Sequence, residues 1–329
     1  MFRQNPNLIQ PPSPHSSSPP PTPLFLLHDG GGTIFSYYCL SDLSRPVYGI
    51  FNPHFSTKST FKGGIPEMAR LYLSYIIETL YGDDQCGGVI SNPKPARTAH
   101  ATGKEQERDL ILGGWSLGGM VSLEVAKQVQ DFNVTQVQLS RETGCKPRRI
   151  NVKGVVMIDS MNPRQRDFPR EVKVASPNAT TMQWGRHTRE ETKEAVLRCF
   201  EEARRMLGGW ELPTGQPENT GPSGTHAADG PEKHKQGHGP PPVVLLKCRE
   251  NVPLTQEQRD AGEVSRTDVH RKDRTLGWGK YDAGMVRKVI EVDGNHFNLF
   301  TDPARAEVVT KGVKEACEFL ERLWEDGKS

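Results

Sequence analysis

Residues 110–120, LILGGWSLGGM, constrain the fold of this chain more than any other segment. An apolar run leads into Gly114-Trp115-Ser116-Leu117-Gly118, and a segment with helical spacing follows directly. A turn this tight between a strand and a helix forces its central residue into a strained conformation, and only glycine-sized neighbours leave room for it. The segment therefore predicts a strand, a sharp turn and a helix, with the Ser116 hydroxyl exposed at the carboxyl end of the strand.

Short apolar runs alternate with helical patterns along the rest of the chain, which is typical of parallel strands joined by crossover helices. Six segments have the composition of buried strands: residues 23–29, 46–55, 109–116, 152–160, 242–250 and 286–296. Apolar residues at helical spacing predict helices over 65–82, 117–130 and 303–323. We expect one α/β domain over residues 23–329, with a mostly parallel sheet of at least six strands flanked by helices.

Several segments do not follow this alternation. Residues 1–22 are rich in proline and serine and are predicted to be disordered. Residues 82–108 and 131–150 are polar and aperiodic, so we interpret them as surface insertions that lengthen loops.

A lid and a low-complexity insertion are predicted over about residues 160–241. Within it, residues 187–207 have the pattern of an amphipathic helix that begins with a capping box of Thr188 and Glu191 and serves as core or lid. Residues 208–241 are of low complexity, and their histidines lack the spacing of metal ligands: His226, His234 and His238. We interpret this stretch as a solvated linker, not as a metal site.

Charge and cysteine usage exclude several classes of protein. The 42 basic and 40 acidic residues give a net charge of +2, which offers no reason to expect nucleic acid or an anionic membrane as partner. The 6 cysteines are scattered without a C-x-x-C pair, as in a protein with reduced thiols. The sequence has no signal-peptide core and no run of membrane-spanning length. We expect a soluble, cytoplasmic protein without a bound metal or cofactor.

Ser116 is the candidate nucleophile. The alternative is a glycine-rich turn that binds phosphate, but the segment lacks both G-x-G-x-x-G and the lysine of a P-loop. A serine hydroxyl needs a base, and on this kind of fold the expected order is serine, acid, histidine. His296 directly follows the last predicted strand, whereas His270 lies in a charged stretch. We therefore favour His296 as the base, the alternative being a loop histidine that caps the following helix.

The acid has two candidate positions. In most hydrolases of this kind it follows the penultimate strand, where the candidates are Asp260, Asp268 and Asp273. Asp159 instead ends the apolar strand VVMIDS, one strand after the serine. A carboxylate at the end of an apolar strand is costly to bury unless it has a partner, so we favour Asp159.

The remaining requirement is a pair of N–H donors for an oxyanion. One is the backbone N–H of Leu117, directly after the nucleophile, and the other is an N–H of Gly30 or Gly31 in the loop HDGGGT after the first predicted strand. We interpret His28 as a residue that shapes this loop, not as a second base.

Several separated stretches together resemble one family: PLFLLHDGGGTIFSYYCL, RPVYGIFNP, GGWSLGGMVSLEVA, VVMIDS, VVLLKCRENVPL, GWGKY and GNHFNLF. In this order and spacing they resemble the thioesterase domains that end fungal polyketide synthases, and related stand-alone thioesterases. The resemblance implies an α/β-hydrolase fold with a helical lid, an acid at Asp159 in I-D-S and a base at His296 in G-N-H-F.

The resemblance also implies an activity. Ser116 would accept a polyketide-type acyl chain from the phosphopantetheine thioester of a partner's carrier domain, and hydrolysis, lactonisation or Claisen closure would release it. This chain has no recognisable synthase or carrier domain, so it would release or edit acyl chains in trans, and its insertions exceed the loops usual in the family. A carboxylesterase or lipase with the same triad and a non-catalytic binding protein on a hydrolase scaffold are the alternatives.

Overall fold

The computed structural model describes residues 4–12, 21–82, 106–175, 184, 188–213 and 239–328. The strands are β1 (Asn7–Gln10), β2 (Leu24–Leu27), β3 (Val47–Ile50), β4 (Gln106–Trp115), β5 (Arg148–Ile158), β6 (Lys173–Val174), β7 (Val243–Cys248), β8 (Glu263–Val264) and β9 (Val286–Val292). The helices are α1 (Gly64–Tyr81), α2 (Leu117–Thr143), α3 (Glu190–Gly208), α4 (Gln256–Asp260) and α5 (Pro303–Asp326). Short 3-10 turns lie between them.

Seven strands form one sheet in the order β1-β3-β2-β4-β5-β7-β9. β1 pairs with β3 in antiparallel orientation, and the other neighbours are parallel. Every residue of β2 and of β7 is buried, as expected for parallel strands that are covered on both faces. The prediction of an α/β fold with a mostly parallel sheet is confirmed, and all six predicted strands are present.

Two apolar layers cover the sheet. Phe25 and Leu27 point into the core shared with α1 and α2, whereas Leu24 and Leu26 point into the core shared with α5. This alternation is the two-residue period of a strand buried between two layers. β4 lies in the middle of the sheet, so the turn that follows it emerges at the centre of the carboxyl edge. None of the described helices is long and apolar enough to cross a membrane.

The prediction of a disordered segment over residues 1–22 is wrong for residues 7–10. Asn7 pairs with Gly49 and Leu8 with Tyr48, which makes β1 the edge strand of the sheet. The side chain of Gln10 fixes the end of this strand by donating to the carbonyl of Ser41 at 2.9 Å. The strand has no local sequence pattern because it derives its order from pairing with β3; residues 13–20 lie outside the described residues.

The interpretation of residues 131–150 as a loop insertion is also wrong. α2 continues to Thr143, where Gly144 ends it in the left-handed conformation, and β5 begins at Arg148. The part of α2 after residue 130 has no continuous buried face, and Val134 is 60% exposed. Its sequence therefore lacks the regular spacing of apolar residues that predicts a helix packed on a core. α3 begins at Glu190 with Arg189 as its N-cap, and no capping box forms at Thr188.

Two other predicted insertions fall largely outside the described part of the chain. Residues 83–105 account for most of the segment predicted over 82–108, and β4 already begins at Gln106. Residues 214–238 likewise lie outside it, together with the three histidines named above. Among the described residues, no three histidine, cysteine, aspartate or glutamate side chains are grouped so that they could hold a metal ion.

Candidate active site

The turn between β4 and α2 has the strained geometry that its sequence predicts. Ser116 has φ 55° and ψ −116°, a region that non-glycine residues rarely occupy. A Cβ at Gly118 would lie 2.1 Å from the Leu27 carbonyl oxygen, and one at Gly114 would lie 2.6 Å from the backbone of Gly118. Only glycine fits at these two positions, and the Ser116 hydroxyl projects from the carboxyl edge of the sheet.

Strand register brings Asp159 beside the serine. Trp115 pairs with Ile158 in the parallel ladder of β4 and β5, so Ser116 and Asp159 are the next residues of two adjacent strands. The Ser116 N–H donates to the Ile158 carbonyl at 2.9 Å, and the Asp159 N–H donates to the Leu246 carbonyl of β7 at 2.7 Å. Both residues follow directly from β strands, so their positions are fixed by the sheet.

His296 completes a hydrogen-bonded chain. It lies in the loop after β9, where its Nδ1 is 2.8 Å from Asp159 Oδ2 and its Nε2 is 3.0 Å from Ser116 Oγ. A carboxylate only accepts, so Nδ1–H donates to Asp159 and Nε2 is left to accept from the serine hydroxyl. The side chain of Asn295 accepts from the Phe297 N–H at 3.0 Å and holds the loop. The structure thus brings together the three residues that the sequence predicts as a triad.

Asp159 has a second partner that sequence reasoning missed. Arg271 donates to Asp159 Oδ1 at 2.5 Å and to Oδ2 at 2.8 Å, a bidentate and buried ion pair. The same guanidinium donates to Asp268 Oδ1 at 3.0 and 2.9 Å. The Cys248 N–H donates to Asp159 Oδ1 at 2.9 Å. The acid is therefore one member of a network in which two carboxylates share one arginine.

These contacts determine the charge of the acid. Burial alone would raise the pKa of Asp159, but hydrogen bonds from Arg271 and His296 hold it well below its ordinary value. Arg271 is likewise held in its charged form, because the two carboxylates outweigh the cost of burying it. Asp159 is consequently ionised at neutral pH, as the acceptor of an imidazole N–H must be.

The residues weighed as alternatives have other roles. Asp268 is bound to Arg271 and accepts the Val252 N–H at 2.6 Å, and it makes no hydrogen bond to His296. Asp273 accepts from Thr275, and Asp260 is an exposed residue at the end of α4. His270 is buried with its ring 5.3 Å from that of Phe168.

The loop after β2 lies against the serine. Gly30 and Leu117 line the cavity that contains Ser116. Gly31 is predicted as an alternative donor, but its N–H already donates to Asp29 Oδ1 at 3.0 Å. His28 donates from Nδ1 to the Asp29 carbonyl at 2.6 Å and accepts from the Tyr72 hydroxyl at 2.5 Å, consistent with a residue that shapes this loop.

Burial changes the titration of two residues in this loop. It lowers the pKa of His28 to about 4, so this ring is neutral. It raises the pKa of Asp29 to about 6, although the N–H groups of Gly31 and Thr33 oppose the shift. The loop therefore holds the neutral His28 ring beside the Asp29 carboxyl group, whose ionised form is disfavoured by burial.

Aromatic residues pack around His296 and the Ser116 turn, a role for which no sequence signal was found. The Trp115 ring lies 5.6 Å from the His296 ring and 5.3 Å from that of Phe300, measured between centroids. The Tyr37 hydroxyl accepts from the Trp115 N–H at 2.8 Å and donates to the Leu27 carbonyl at 2.5 Å. Tyr37 thereby ties the end of β2, where the glycine loop starts, to the turn that carries the serine.

The cavity above the serine is mostly apolar. α3 covers it: a Cβ at Gly30 would lie 2.8 Å from the Phe200 ring, so the helix packs directly on the glycine loop. The apolar side chains that line the cavity come from α2, α3 and the segments after β5, β7 and β9: Leu117, Met120, Met161, Pro163, Ala175, Phe200, Ala203, Leu207, Val252, Leu254 and Phe297. Such a lining suits a hydrocarbon chain. Besides Ser116, Asp159 and His296, the polar side chains of the lining are Arg204, Gln258, Ser265, Arg266 and Thr267.

Comparison with known proteins identifies relatives of matching length. The chain is 31% identical to the probable thioesterase gloN of Glarea lozoyensis over 96% of this chain and 98% of that protein. It is 30% identical to the thioesterase frbE of Dothideomycetidae sp. over 98% of both chains. It also aligns, at 27% identity, with 8% of the nonribosomal peptide synthetase imqB of Aspergillus flavus. No protein-family model matches the chain.

A solved structure supports the fold. The NocB thioesterase domain, in its covalent complex with a fluorophosphonate nocardicin G analog, superposes with a TM-score of 0.52 at 18% identity. The superposition covers 90% of this chain and 94% of that domain. With its central parallel sheet, its helix over the site and full-length relatives of this kind, the chain belongs to the fungal thioesterases of the α/β-hydrolase fold, which are hydrolases acting on thioester bonds.

Proposed function

We propose that this protein hydrolyses the thioester between a polyketide-type acyl chain and the phosphopantetheine arm of a partner's carrier domain, with Ser116, His296 and Asp159 as its catalytic triad. One observation carries the proposal: the hydrogen-bonded chain Asp159–His296–Ser116 opens into an apolar cavity. Membership in the thioesterase family indicates that the bond cleaved is a thioester, and the apolar cavity indicates where the acyl chain would bind.

Acylation begins with attack of Ser116 Oγ on the thioester carbonyl. As the O–C bond forms, His296 Nε2 takes the hydroxyl proton, and Asp159 stabilises the resulting imidazolium through Nδ1–H. The C–S bond then breaks, and the departing pantetheine sulfur receives that proton from Nε2. The acyl chain is left as an ester on Ser116.

Deacylation repeats the same steps with water. Nε2 takes a proton from the water as its oxygen attacks the acyl carbon, and the C–Oγ bond breaks while the proton passes to Ser116. In both halves the carbonyl oxygen becomes negative, and we assign its stabilisation to the N–H groups of Leu117 and Gly30. Leu117 is also the first residue of α2, so the partial positive charge of the helix N-terminus lies beside that oxygen.

The pathway and the partner rest on the relatives. The alignment with 8% of a nonribosomal peptide synthetase favours acyl chains bound to a carrier domain, as made in secondary metabolism. The apolar lining favours a hydrocarbon-rich chain over a small polar one. The chain would then act on a carrier domain supplied by another protein.

Replacement of the nucleophile tests the proposal. In Ser116→Ala, kcat/KM for an acyl-pantetheine thioester should fall by about 10⁴-fold or more, since the remaining triad residues cannot act without it. Ser74→Ala is the matched control, because Ser74 is exposed on α1 and remote from the triad. After incubation with a fluorophosphonate, intact-protein mass spectrometry should detect one covalent label on the Ser74→Ala protein and none on the Ser116→Ala protein.

Substrate preference decides between a thioesterase and an ester hydrolase. We expect a higher kcat/KM for an acyl-pantetheine thioester than for the matched oxygen ester. A preference for the ester would instead support a carboxylesterase or lipase. An unlabelled wild-type serine would contradict catalysis altogether and favour a binding protein on this scaffold.

A further inference from the structure

Two arginines line the otherwise apolar cavity. Arg204 extends from α3, and Arg266 comes from the short turn after β8. Charged side chains are uncommon in a cavity that binds a hydrocarbon chain, because removing a charge from water is costly without a partner. Arg204 is exposed and Arg266 is half-buried, so the cavity presents two positive charges to which a substrate can supply the counter-charge.

No protein carboxylate among the described residues supplies that counter-charge, since neither Arg204 nor Arg266 forms an ion pair there. Other basic residues of α3 do have partners: Lys193 pairs with Glu190, and Arg205 pairs with Glu202. The cavity-facing arginine is thus set apart from its neighbours on the same helix.

Arg266 has one favourable contact for its charge, a cation–π contact with Phe168, but no carboxylate partner among the described residues. The side chain is half-buried, with its guanidinium carbon 5.7 Å from the centre of the Phe168 ring. Burial, and then the like charge of Arg204, lower the pKa of Arg266. Both guanidinium groups belong to the lining of one cavity, so an anion bound between them would offset the repulsion of their like charges.

Hydroxyl groups add to this polar corner. Ser265 and Thr267 flank Arg266 and line the same cavity, with their hydroxyl oxygens 3.0 Å apart. Guanidinium groups bind carboxylate and phosphate oxygens in a bidentate manner, and neighbouring hydroxyls can donate to the same oxygens. The residues around Arg266 have the chemistry of an oxyanion-binding subsite.

Resting on the proposed function, we infer that Arg204 and Arg266 bind an anionic oxygen group of the substrate while its thioester lies at Ser116. The group is a carboxylate on the acyl chain or the phosphate of the phosphopantetheine arm. Both present the same oxygens to a guanidinium. The substrate accordingly carries a negatively charged group apart from its thioester, and the two arginines favour its binding over that of a neutral acyl thioester.

Four thioesters separate the two sources: hexanoyl and adipoyl chains, each on pantetheine and on phosphopantetheine. Loss of one charged hydrogen-bonding partner should lower kcat/KM for the bound anionic substrate about tenfold or more in Arg204→Gln and in Arg266→Gln. The loss for the neutral hexanoyl-pantetheine should be smaller, so the ratio of kcat/KM for the anionic substrate to kcat/KM for hexanoyl-pantetheine should fall. Arg70→Gln, which removes one charge from an exposed site on α1, is the matched control.

Each outcome is decisive. A loss that follows the adipoyl chain supports the subsite and assigns it to the acyl group, and a loss that follows the phosphate supports it and assigns it to the carrier arm. Equal losses on all four substrates, or no loss on any, would overturn the inference.

Binding to the inactive protein separates this inference from the proposed function. Calorimetric titration of adipate and of phosphopantetheine into the Ser116→Ala protein needs no turnover. If binding of either ligand is about tenfold weaker to the Ser116→Ala, Arg266→Gln double variant than to Ser116→Ala, the result supports the subsite even if no thioester is hydrolysed. Unchanged binding of both overturns it even if hydrolysis proceeds.

Discussion

At the scale of single residues, the charge around His296 depends on three side chains in series. Asp159 contributes a negative charge, Arg271 a positive one and Asp268 a second negative one, so the buried network carries one net negative charge. Asp29 also acts electrostatically on the imidazole, and Cys248 donates its N–H to Asp159. Asp268 restores the charge that Arg271 would otherwise cancel, and in the proposed mechanism that net charge stabilises the imidazolium of His296.

This arrangement predicts opposite changes in two variants. Asp268→Asn removes a negative charge, so the imidazolium is stabilised less and the acid limb of the kcat/KM profile should move to lower pH. Arg271→Gln leaves two negative charges near the imidazole, so the limb should move to higher pH, with a lower kcat in both cases. The measurement is kcat/KM from pH 4 to 9 on about half-unit steps.

Arg271→Lys is the conservative control for charge. It keeps the positive charge but loses the bidentate geometry, so kcat should fall while the acid limb stays in place. Asp29 and Cys248 are unchanged in all three variants. Shifts of the same sign in Asp268→Asn and Arg271→Gln would point to a structural effect and contradict the electrostatic explanation.

At the scale of elements, the helices and strands predicted correctly from the sequence are those with a local pattern of apolar residues or glycines. The six buried strands and the Ser116 turn were predictable because apolar composition and glycine spacing are local signals. β1 was missed because its four residues are strand-like only when paired with β3. Arg271 was missed because it lies 112 residues from Asp159 in the chain, and a charged stretch usually indicates a solvated surface.

The loop after β2 is an element with a predictable response to pH. Burial raises the pKa of Asp29 to about 6, so the native state binds its proton more tightly than the unfolded chain does. The stabilisation from that proton is present at low pH and is lost as the pH rises through about 6. Above that pH, the ionised Asp29 reduces the stability of the native state.

Asp29→Asn should therefore stabilise the protein above pH 6. The gain in unfolding free energy should be about 1–3 kcal/mol at pH 7.5 and should disappear near pH 4. Asp42→Asn is the control, because Asp42 also accepts the N–H two residues onward but is exposed. Urea unfolding at both pH values measures the effect, and an equal gain at pH 4 would refute the ionisation argument.

At the scale of the whole molecule, side-chain contacts join segments that are distant in the chain. Arg45 donates to both oxygens of Glu321 in α5, at 2.9 and 3.2 Å, and the Thr22 N–H donates to the same carboxylate at 3.1 Å. The Tyr81 hydroxyl, at the end of α1, lies 3.1 Å from the Gln106 carbonyl oxygen and 2.9 Å from the Arg149 carbonyl oxygen, and the two oxygens share its single proton. The end of α1 and the start of β4 therefore lie together in the folded chain.

This contact predicts that residues 84–104 can be replaced by Gly-Ser-Gly. A shorter connection has less entropy to lose on closure, so the unfolding free energy should rise by about 1 kcal/mol. Because Tyr81 holds the flanking elements, kcat/KM should be unchanged. When Tyr81→Phe is combined with the shortened connection, the unfolding free energy should be lower than that of the shortened protein that keeps Tyr81. Loss of activity in a folded, shortened protein would assign residues 84–104 to the site.

The shared arginine also has a consequence for the history of the site. Asp159 follows the strand next to Ser116, whereas Asp268 comes from the stretch between β7 and β9, the other position at which the sequence predicted an acid. Both positions hold a carboxylate on a single guanidinium. In the proposed mechanism, moving the acid from one position to the other would therefore never leave the site without a negative charge.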